Sequence, residues 1–481
     1  MSEAKKTVLP ALVVTCVAEP DDPQATRVEL PEGMTYFIKP IQDAETRKRV
    51  DGEPSWMRGR FNLYPLVRDA VGVPWAEANV FILAKLEEAM KLRMSTFSGA
   101  ADGLRTFRTF LDEKGIDWTV FPAHKLLRPT YRFNGHLRHA IEAGKCADTT
   151  ARRWMSAVVA FYKWCDEEGV FHPAHEPWKE TDRFVEMKDA KGFSFAKKVK
   201  TTDVAIKVVK QDDPYTGYIE DGGKLKPLNE DQQMWVLEAL VTEGNTEMTL
   251  IHLLALFTGA RIQTVLTFCV RHAQLEIDDD MEGELRFPVG PGTGVDTKWD
   301  KQMTLHIPVW LYRQLQTYSF SERAIGRRRK ARGGDTEDQY LFLSERGAPL
   351  YRSKADVDVF DPDLDVHHEK QGQALRQFIT DRVLPFVNSR HAGSFHYQFH
   401  DLRASYGMNL TDHQQTLVAR GEVTSHQARE FVRVRMGHSS AAVTDRYLNY
   451  RSNLHLARMA GQGYDERLKA LAQKALKGGP Q

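Results

Sequence analysis

Cysteine is scarce, and its placement excludes two kinds of scaffold. The four cysteines, Cys16, Cys146, Cys165 and Cys269, lie far apart with no C-x-x-C pair among 481 residues, which argues against a disulfide framework and a zinc ribbon. A reducing, cytosolic compartment fits this usage. Net charge is nearly absent as well: 66 Lys and Arg against 65 Asp and Glu leave +1, so any surface for a polyanion must be a local patch. No apolar run approaches the roughly 18–20 residues that cross a bilayer. The nearest run, Thr7 to Ala18 behind Lys5 and Lys6, is interrupted by Pro10 and reads as a strand rather than a signal peptide.

Two ligand motifs are also missing. Gly290, Gly292 and Gly294 give G-x-G-x-G between strand-like segments, not a phosphate-cradling G-x-G-x-x-G that opens a helix. The acids Asp356, Asp358, Asp361, Asp363 and Asp365, beside His367 and His368, lack the glycine and terminal glutamate of a calcium loop. They follow a basic cluster, Arg323, Arg327, Arg328, Arg329, Lys330 and Arg332, and the whole 321–370 segment has no assignable role.

What is present is globular in composition, 42% hydrophobic and 27% charged, and long enough for about three domains. Residues 1–76 mix β-branched runs with Pro and acidic turns and read as an appended region of unknown role. Residues 77–185 read as a helical domain. Val80, Leu83, Leu86 and Met90 recur at helical spacing; Leu104, Phe107, Phe110 and Leu111 share a face ending at Gly115; a third helix falls between Pro129 and Ala143. In the fourth, capped by Asp148 or Thr149, Trp154, Val158, Phe161 and Cys165 form the apolar stripe and Arg152, Arg153 and Lys163 lie off it. Those three cations suit phosphate contact or a solvated face.

Residues 186–226 read as a basic linker, because 191–210 carries Lys191, Lys197, Lys198, Lys200, Lys207 and Lys210 against one acid, Asp203. Asn229 and Gln232 then form a capping box that opens a domain over 227–455. A tail, 456–481, breaks at Gly461-Gln462-Gly463 before a short amphipathic segment with Leu468, Leu471 and Leu476.

Four pieces in this last half call for a common explanation: Thr258-Gly259-Ala260-Arg261; Asp296-Thr297-Lys298-Trp299-Asp300-Lys301; His400-Asp401-Leu402-Arg403; and Gly437-His438-Ser439-Ser440 with Tyr447 nine residues past the histidine. A His and a Tyr at that spacing arise easily by chance among 17 His and 15 Tyr, but the order of the whole set does not.

This ordered set resembles the tyrosine recombinase, or phage integrase, family over residues 77–455. The resemblance implies a mainly α fold with a small β-sheet in the catalytic domain: a helical core-binding domain at 77–185 and a catalytic domain at 227–455. It matches Arg261 to the first catalytic arginine, His400 and Arg403 to the His-x-x-Arg pair, His438 to the second histidine and Tyr447 to the nucleophile. Lys298 matches the hairpin lysine, with Lys301 close enough to compete. Tyr450, one turn beyond Tyr447, is the rival phenol. One departure stands out: where the family usually places an acid three positions after the first arginine, this chain has Thr264.

The residue types suit the chemistry. Arginine forks hold the oxygens of a phosphodiester and stabilise charge that grows as it is attacked. A phenol needs its proton accepted, for which His400 is the candidate, and a departing 5′-oxygen needs one delivered, for which Lys298 is. His438 donates to a phosphate oxygen. The product is a 3′-phosphotyrosine that stores the ester for rejoining, so neither metal nor other cofactor is implied.

The resemblance further implies site-specific recombination that integrates or excises a mobile element. Both domains are then expected to clamp double-stranded DNA, with Arg152, Arg153, Lys163, Lys197, Lys198 and Lys200 as the candidate contacts. A homotetramer assembles on DNA, its tails exchanged between protomers, with accessory directionality proteins and no membrane. A cytoplasmic, nucleoid-associated protein of bacterial or phage origin is expected. Competing readings are a type IB topoisomerase-like relaxing enzyme, a DNA-binding regulator whose site has decayed, and, from His400-Asp401, a metal-dependent phosphohydrolase.

Overall fold

The computed structural model describes residues 3–29, 33–40, 60–88, 94–188, 194–208, 217–278, 280–354, 370–391 and 393–477. The acids at 356–365, His367, His368, Lys191 and Lys210 lie outside them. The fold is mainly α with small antiparallel sheets. It divides into a unit built on Met1–Gln211 and one built on Asp212–Val357 and Lys370–Gln481.

In the first unit, strand β1 (Lys5–Val13) pairs with β5 (Arg60–Arg68), while β2 (Thr15–Val17), β3 (Thr26–Glu29) and β4 (Thr35–Pro40) form a second sheet in the order β2-β4-β3. Pro10, which donates no ladder hydrogen bond, sits on a strand whose one neighbour among the described residues is β5, where it is tolerated. The β1–β5 sheet is tied to the helix that follows: the Asn79 side chain accepts from Val67 N and donates to Val67 O, at 2.8 and 2.9 Å.

Helices α1 (Ala76–Glu88), α2 (Met94–Lys114), α3 (Pro129–Glu142) and α4 (Asp148–Glu167) enclose Phe107, Phe133 and Phe161, all fully buried. Helix α4 starts one residue earlier than its capping pattern suggests. Ala147 holds the cap position without a side-chain bond, and Asp148 becomes the first-turn acid that complements the helix dipole. Gly103 is needed where α2 meets α4, since a Cβ there would stand 2.9 Å from Ala157 Cβ and 3.1 Å from the Trp154 backbone.

The stretch read as a connector is not extended chain. Strands β6 (Glu180–Lys188) and β7 (Ser194–Thr202) form a nine-residue antiparallel hairpin pairing Asp182 with Lys200 and Phe184 with Lys198. Counting cations on β7 alone missed the acids on β6: Lys198 pairs with Asp182 at 2.7 Å and Lys200 with Glu180 at 3.3 Å.

The second unit opens with a small hairpin, β8 (Ile219–Glu220) and β9 (Lys224–Leu225). Helix α5 (Glu230–Glu243) follows, with the Asn229/Gln232 capping box formed and Gly244 at φ +62° closing its end. Helix α6 (Thr246–Thr258) buries Leu250, Ile251, Leu254 and Ala255 on several faces, which places it inside the domain rather than on its surface. After the short helices α7 (Ile262–Leu266) and α8 (Val270–Ala273) comes the hairpin β10 (Glu284–Val289) and β11 (Met303–Pro308), in register Phe287 to Leu305.

Next are α9 (Val309–Ser319) and α10 (Glu322–Lys330), then α11 (Gln373–Phe378), α12 (Leu384–Arg390), α13 (Asp401–Ala419), α14 (Ser425–Arg435) and α15 (Ala441–Lys477). Part of the basic cluster on α10 is structural. Arg323 and Arg327 reach the buried Glu247, and Arg328 reaches Asp335. The expected break at 461–463 does not occur: α15 runs through both glycines for 37 residues, because isolated glycines weaken a helix without ending it.

A side chain at Gly103 tests the helix contact. Gly103→Leu should lower the first unit's stability by about 1–3 kcal/mol, read by thermal or urea unfolding, despite leucine's better helix propensity.

Candidate active site

Backbone turns set up the site before any side chain acts. Helix α6 ends at Gly259, whose φ of +67° suits glycine and whose missing Cβ leaves room for the Tyr406 ring, which would otherwise lie 2.6 Å away. Two residues later Arg261 starts α7, turned toward the interior. Its Nη2 donates to Asp221 Oδ1 at 3.1 Å, while Nε is buried without a partner.

Helix α13 begins at Asp401, with His400 in the cap position, so the His-x-x-Arg pair spans the helix start. Asp401 spends its carboxylate on the backbone N–H groups of Lys226 and Gln398, which fixes that start. Arg403 is 2% exposed, and all three of its nitrogens donate at 2.7 Å: Nε to Asp221 Oδ2, Nη1 to Gly259 O and Nη2 to Met436 O. One guanidinium thus joins the end of α6, the end of α14 and the β8–β9 hairpin.

Gly437 turns the chain at φ +60° and presents His438. The His438 ring shares a hydrogen bond between Nδ1 and Thr444 Oγ1 at 3.0 Å and brings Nε2 to 3.4 Å from Asp221 Oδ2, too far for a short hydrogen bond. Tyr447, fully buried on α15, donates its hydroxyl to Asp221 Oδ2 at 3.1 Å and lies against the His438 ring, centroids 5.3 Å apart. Gly407 makes room for it, since a Cβ there would be 2.4 Å from the Tyr447 ring. Tyr450 is spent elsewhere, donating to Gly217 O at 2.9 Å.

The two candidate lysines differ in what they touch. Lys298 Nζ lies against Gly222, and the side chain lines a cleft of about 480 Å³ with Gly222, Arg261, Arg376, His396 and His400. Lys301 Nζ donates to Gly437 O at 2.7 Å. Between them Trp299 and Asp300 adopt positive φ, 64° and 53°, and Trp299 is 81% exposed.

The structure therefore gathers Arg261, Arg403, His438 and Tyr447 on one carboxylate, with Lys298 and His400 lining the adjoining cleft. That carboxylate, Asp221, was missed by sequence reasoning. It sits within the stretch read as a connector, 40 residues before Arg261 and 226 before Tyr447. The signals available were an Asp-Gly-Gly turn and the want of an acid at Thr264.

The remaining candidates, Arg152, Arg153, Lys163, Lys198 and Lys200, belong to the first unit. Arg152 and Arg153 are exposed on α4, whereas Lys163 pairs with Glu180 at 2.8 Å. Lys197 lies on β7 opposite Val185. Among the described residues no cluster of His, Cys, Asp or Glu could hold a metal ion, and no helix is long and apolar enough to cross a membrane.

Burial and the cluster's charges set the protonation states. Burial raises the Asp221 pKa, but His438, Arg403 and Arg261 outweigh it and hold the carboxyl well below its usual range. Burial, then the Asp221 charge, pushes the Tyr447 phenol well above its ordinary 10.0. His400 is drawn down to about 4 by burial and by Arg403 and Arg261, so its ring is neutral at physiological pH. Burial and Arg261 also lower Lys298, which eases loss of its proton.

No family model matches the chain. No curated protein matches it either. Among solved structures it is similar to lambda integrase (75–356), a dimer bound to a COC′ core site, at 13% identity over 78% of this chain and 95% of that one, TM-score 0.41. It is similar to Tn1549 transposon integrase (82–397) in complex with circular intermediate DNA, at 13% over 76% and 94%, TM-score 0.41. A lambda integrase tetramer bound to a Holliday junction matches at 12% over 78% and 77%, TM-score 0.40. Superpositions this loose leave the chemistry of the site to be read from its own geometry.

Acid should loosen this domain. His400 and His252, the latter drawn to about 4 by burial, bind fewer protons folded than unfolded between their folded pKa and the ordinary 6.5. Their contribution is complete above the unfolded value and is lost as pH falls through that window, at up to about 1.4 kcal/mol per pH unit for each histidine. Urea unfolding across the window should show the slope, and His400→Gln should reduce it.

Proposed function

We propose that this protein is a tyrosine recombinase that cuts and rejoins double-stranded DNA through a covalent 3′-phosphotyrosine, integrating or excising a mobile element. One observation carries the reading: two arginines, an imidazole and a buried phenol converge on a single anion. Such a set binds a phosphodiester and places a nucleophile beside it.

In the proposed reaction the Tyr447 oxygen attacks phosphorus and the bond from phosphorus to the 5′-oxygen breaks. Arg261 and Arg403 hold the non-bridging oxygens, where charge grows, and His438 donates to one of them. Neutral His400 takes the phenol proton, and Lys298 gives a proton to the departing 5′-oxygen. The 3′-phosphotyrosine ester keeps its energy, so attack by a 5′-hydroxyl from another strand reverses the chemistry with a new partner and consumes neither ATP nor metal.

Exposed Leu468 and Leu471 on the far part of α15 suit docking on a neighbouring protomer, which supports assembly as a tetramer on DNA. Arg152 and Arg153 are exposed on α4, which leaves their charge available to backbone phosphates.

A nicked suicide substrate carrying the cognate site, incubated in EDTA, tests the reading. The wild-type protein and Tyr450→Phe should form a denaturation-resistant protein–DNA adduct, and Tyr447→Phe none. Arg403→Ala should slow its formation by roughly 10²–10³-fold or more. An adduct that survives in Tyr447→Phe and disappears in Tyr450→Phe would move the nucleophile to Tyr450.

A further inference from the structure

We propose that Asp221 is an internal stand-in for the scissile phosphate: in the DNA-free protein the β8–β9 hairpin closes the active site, and DNA enters by displacing it. The proposal rests on the strand-transfer reading and adds its regulation.

The contacts are those a phosphate would take. Oδ1 receives Arg261, and Oδ2 receives Arg403, the Tyr447 hydroxyl and, at longer range, His438. A carboxylate and a phosphodiester each offer two oxygens sharing one negative charge, so they compete for one set of donors. Both cannot remain, because two anions in so small a buried volume repel strongly. The nucleophile is itself tied down, since its proton is committed to the carboxylate it would have to leave.

The hairpin is built to put this group here and to let it go. Its strands are two residues each, joined by Asp221-Gly222-Gly223 with Gly222 at φ +73°. A side chain at Gly222 would stand 2.7 Å from Lys298 Nζ, so the tip also lies against the proposed proton donor. The base stays anchored by buried Ile219 and Leu225, by Arg446 Nη1 donating to Glu220 O at 2.7 Å and by Tyr450 donating to Gly217 O. Withdrawing the carboxylate therefore needs only the tip to move, about two glycines that restrain it little.

The opposite view makes Asp221 a fixed support for the arginines, in place of the acid missing at Thr264. The two views differ in sign. If the carboxylate blocks the site, apparent DNA affinity is reduced by the fraction of molecules left open, so removing its charge should raise adduct formation at subsaturating DNA roughly tenfold. Asp221→Asn keeps the shape and an acceptor oxygen for Arg403; Tyr450→Phe leaves Asp221 in place and removes the hydrogen bond to Gly217 O at the hairpin's base.

Both variants should form adduct faster than wild type, Asp221→Asn by the larger factor. Inorganic phosphate should raise the melting temperature of Asp221→Asn and leave that of wild type unchanged, a readout independent of cleavage. Adduct unchanged or reduced in both variants, or no phosphate stabilisation of Asp221→Asn, overturns the proposal. Phosphate stabilisation confined to Asp221→Asn, with no adduct from any protein including wild type, would instead overturn the strand-transfer reading and leave the internal anion standing. Should Asp221→Asn fail to fold even in phosphate, Tyr450→Phe decides the matter by the direction of its adduct rate.

Discussion

A guanidinium cannot be taken out of water alone, and the second unit is arranged around that constraint. Arg403 is 2% exposed and bonded on every nitrogen, but only one of its acceptors, Asp221, carries charge. Two carbonyl oxygens satisfy its hydrogen bonds without neutralising it. Arg261 adds a second positive charge, and its pKa is drawn down to about 10 by burial and by Arg403. Breaking such a buried pair typically costs about 3–5 kcal/mol, because the surviving charge is left uncompensated. The folded domain therefore needs an anion at this point, and Asp221 supplies one.

Much of this organisation is legible in the sequence where the signal is local. The Asn229/Gln232 capping box and the stripe on α4 each depend on residues within a turn or two of each other. The six candidate catalytic residues stand out because their order and flanking motifs are distinctive. Asp221 had no such support. A lone acid in a glycine turn resembles any surface loop, and its meaning comes from partners brought to it by the fold. The same limit explains the other differences. Lys198 and Lys200 on β7 are met by acids across a hairpin, Arg323, Arg327 and Arg328 on α10 by Glu247 and Asp335, and the glycines of α15 are carried by a helix that continues past them.

The one anion serves two opposed ends. By pairing with Arg403 and Arg261 it stabilises the folded site, and by accepting a hydrogen bond from the Tyr447 hydroxyl its charge adds to burial in keeping the phenol protonated. Exchange with a phosphodiester conserves charge, since each carries one negative charge. The arginines do not distinguish the two by total charge, so in the proposed exchange the balance would be set by geometry and by contacts outside this cluster. A site of this kind can be stable when closed and still open at modest cost, because what leaves is replaced in kind.

The element that carries the acid matters as much as its presence. An acid three residues past Arg261 would ride on the same helix, α7, and could not change its distance to the arginine without unfolding it. Thr264 occupies that position here and is buried. Asp221 instead sits on the tip of a hairpin with two-residue strands, anchored at its base and joined to the site by side-chain contacts alone. Moving the charge from a rigid helix to a separate turn converts a permanent support into a removable one. Gly222, at φ +73°, suits that conversion, since the left-handed turn at the tip strains any residue with a side chain, and Lys298 Nζ lies close beside it.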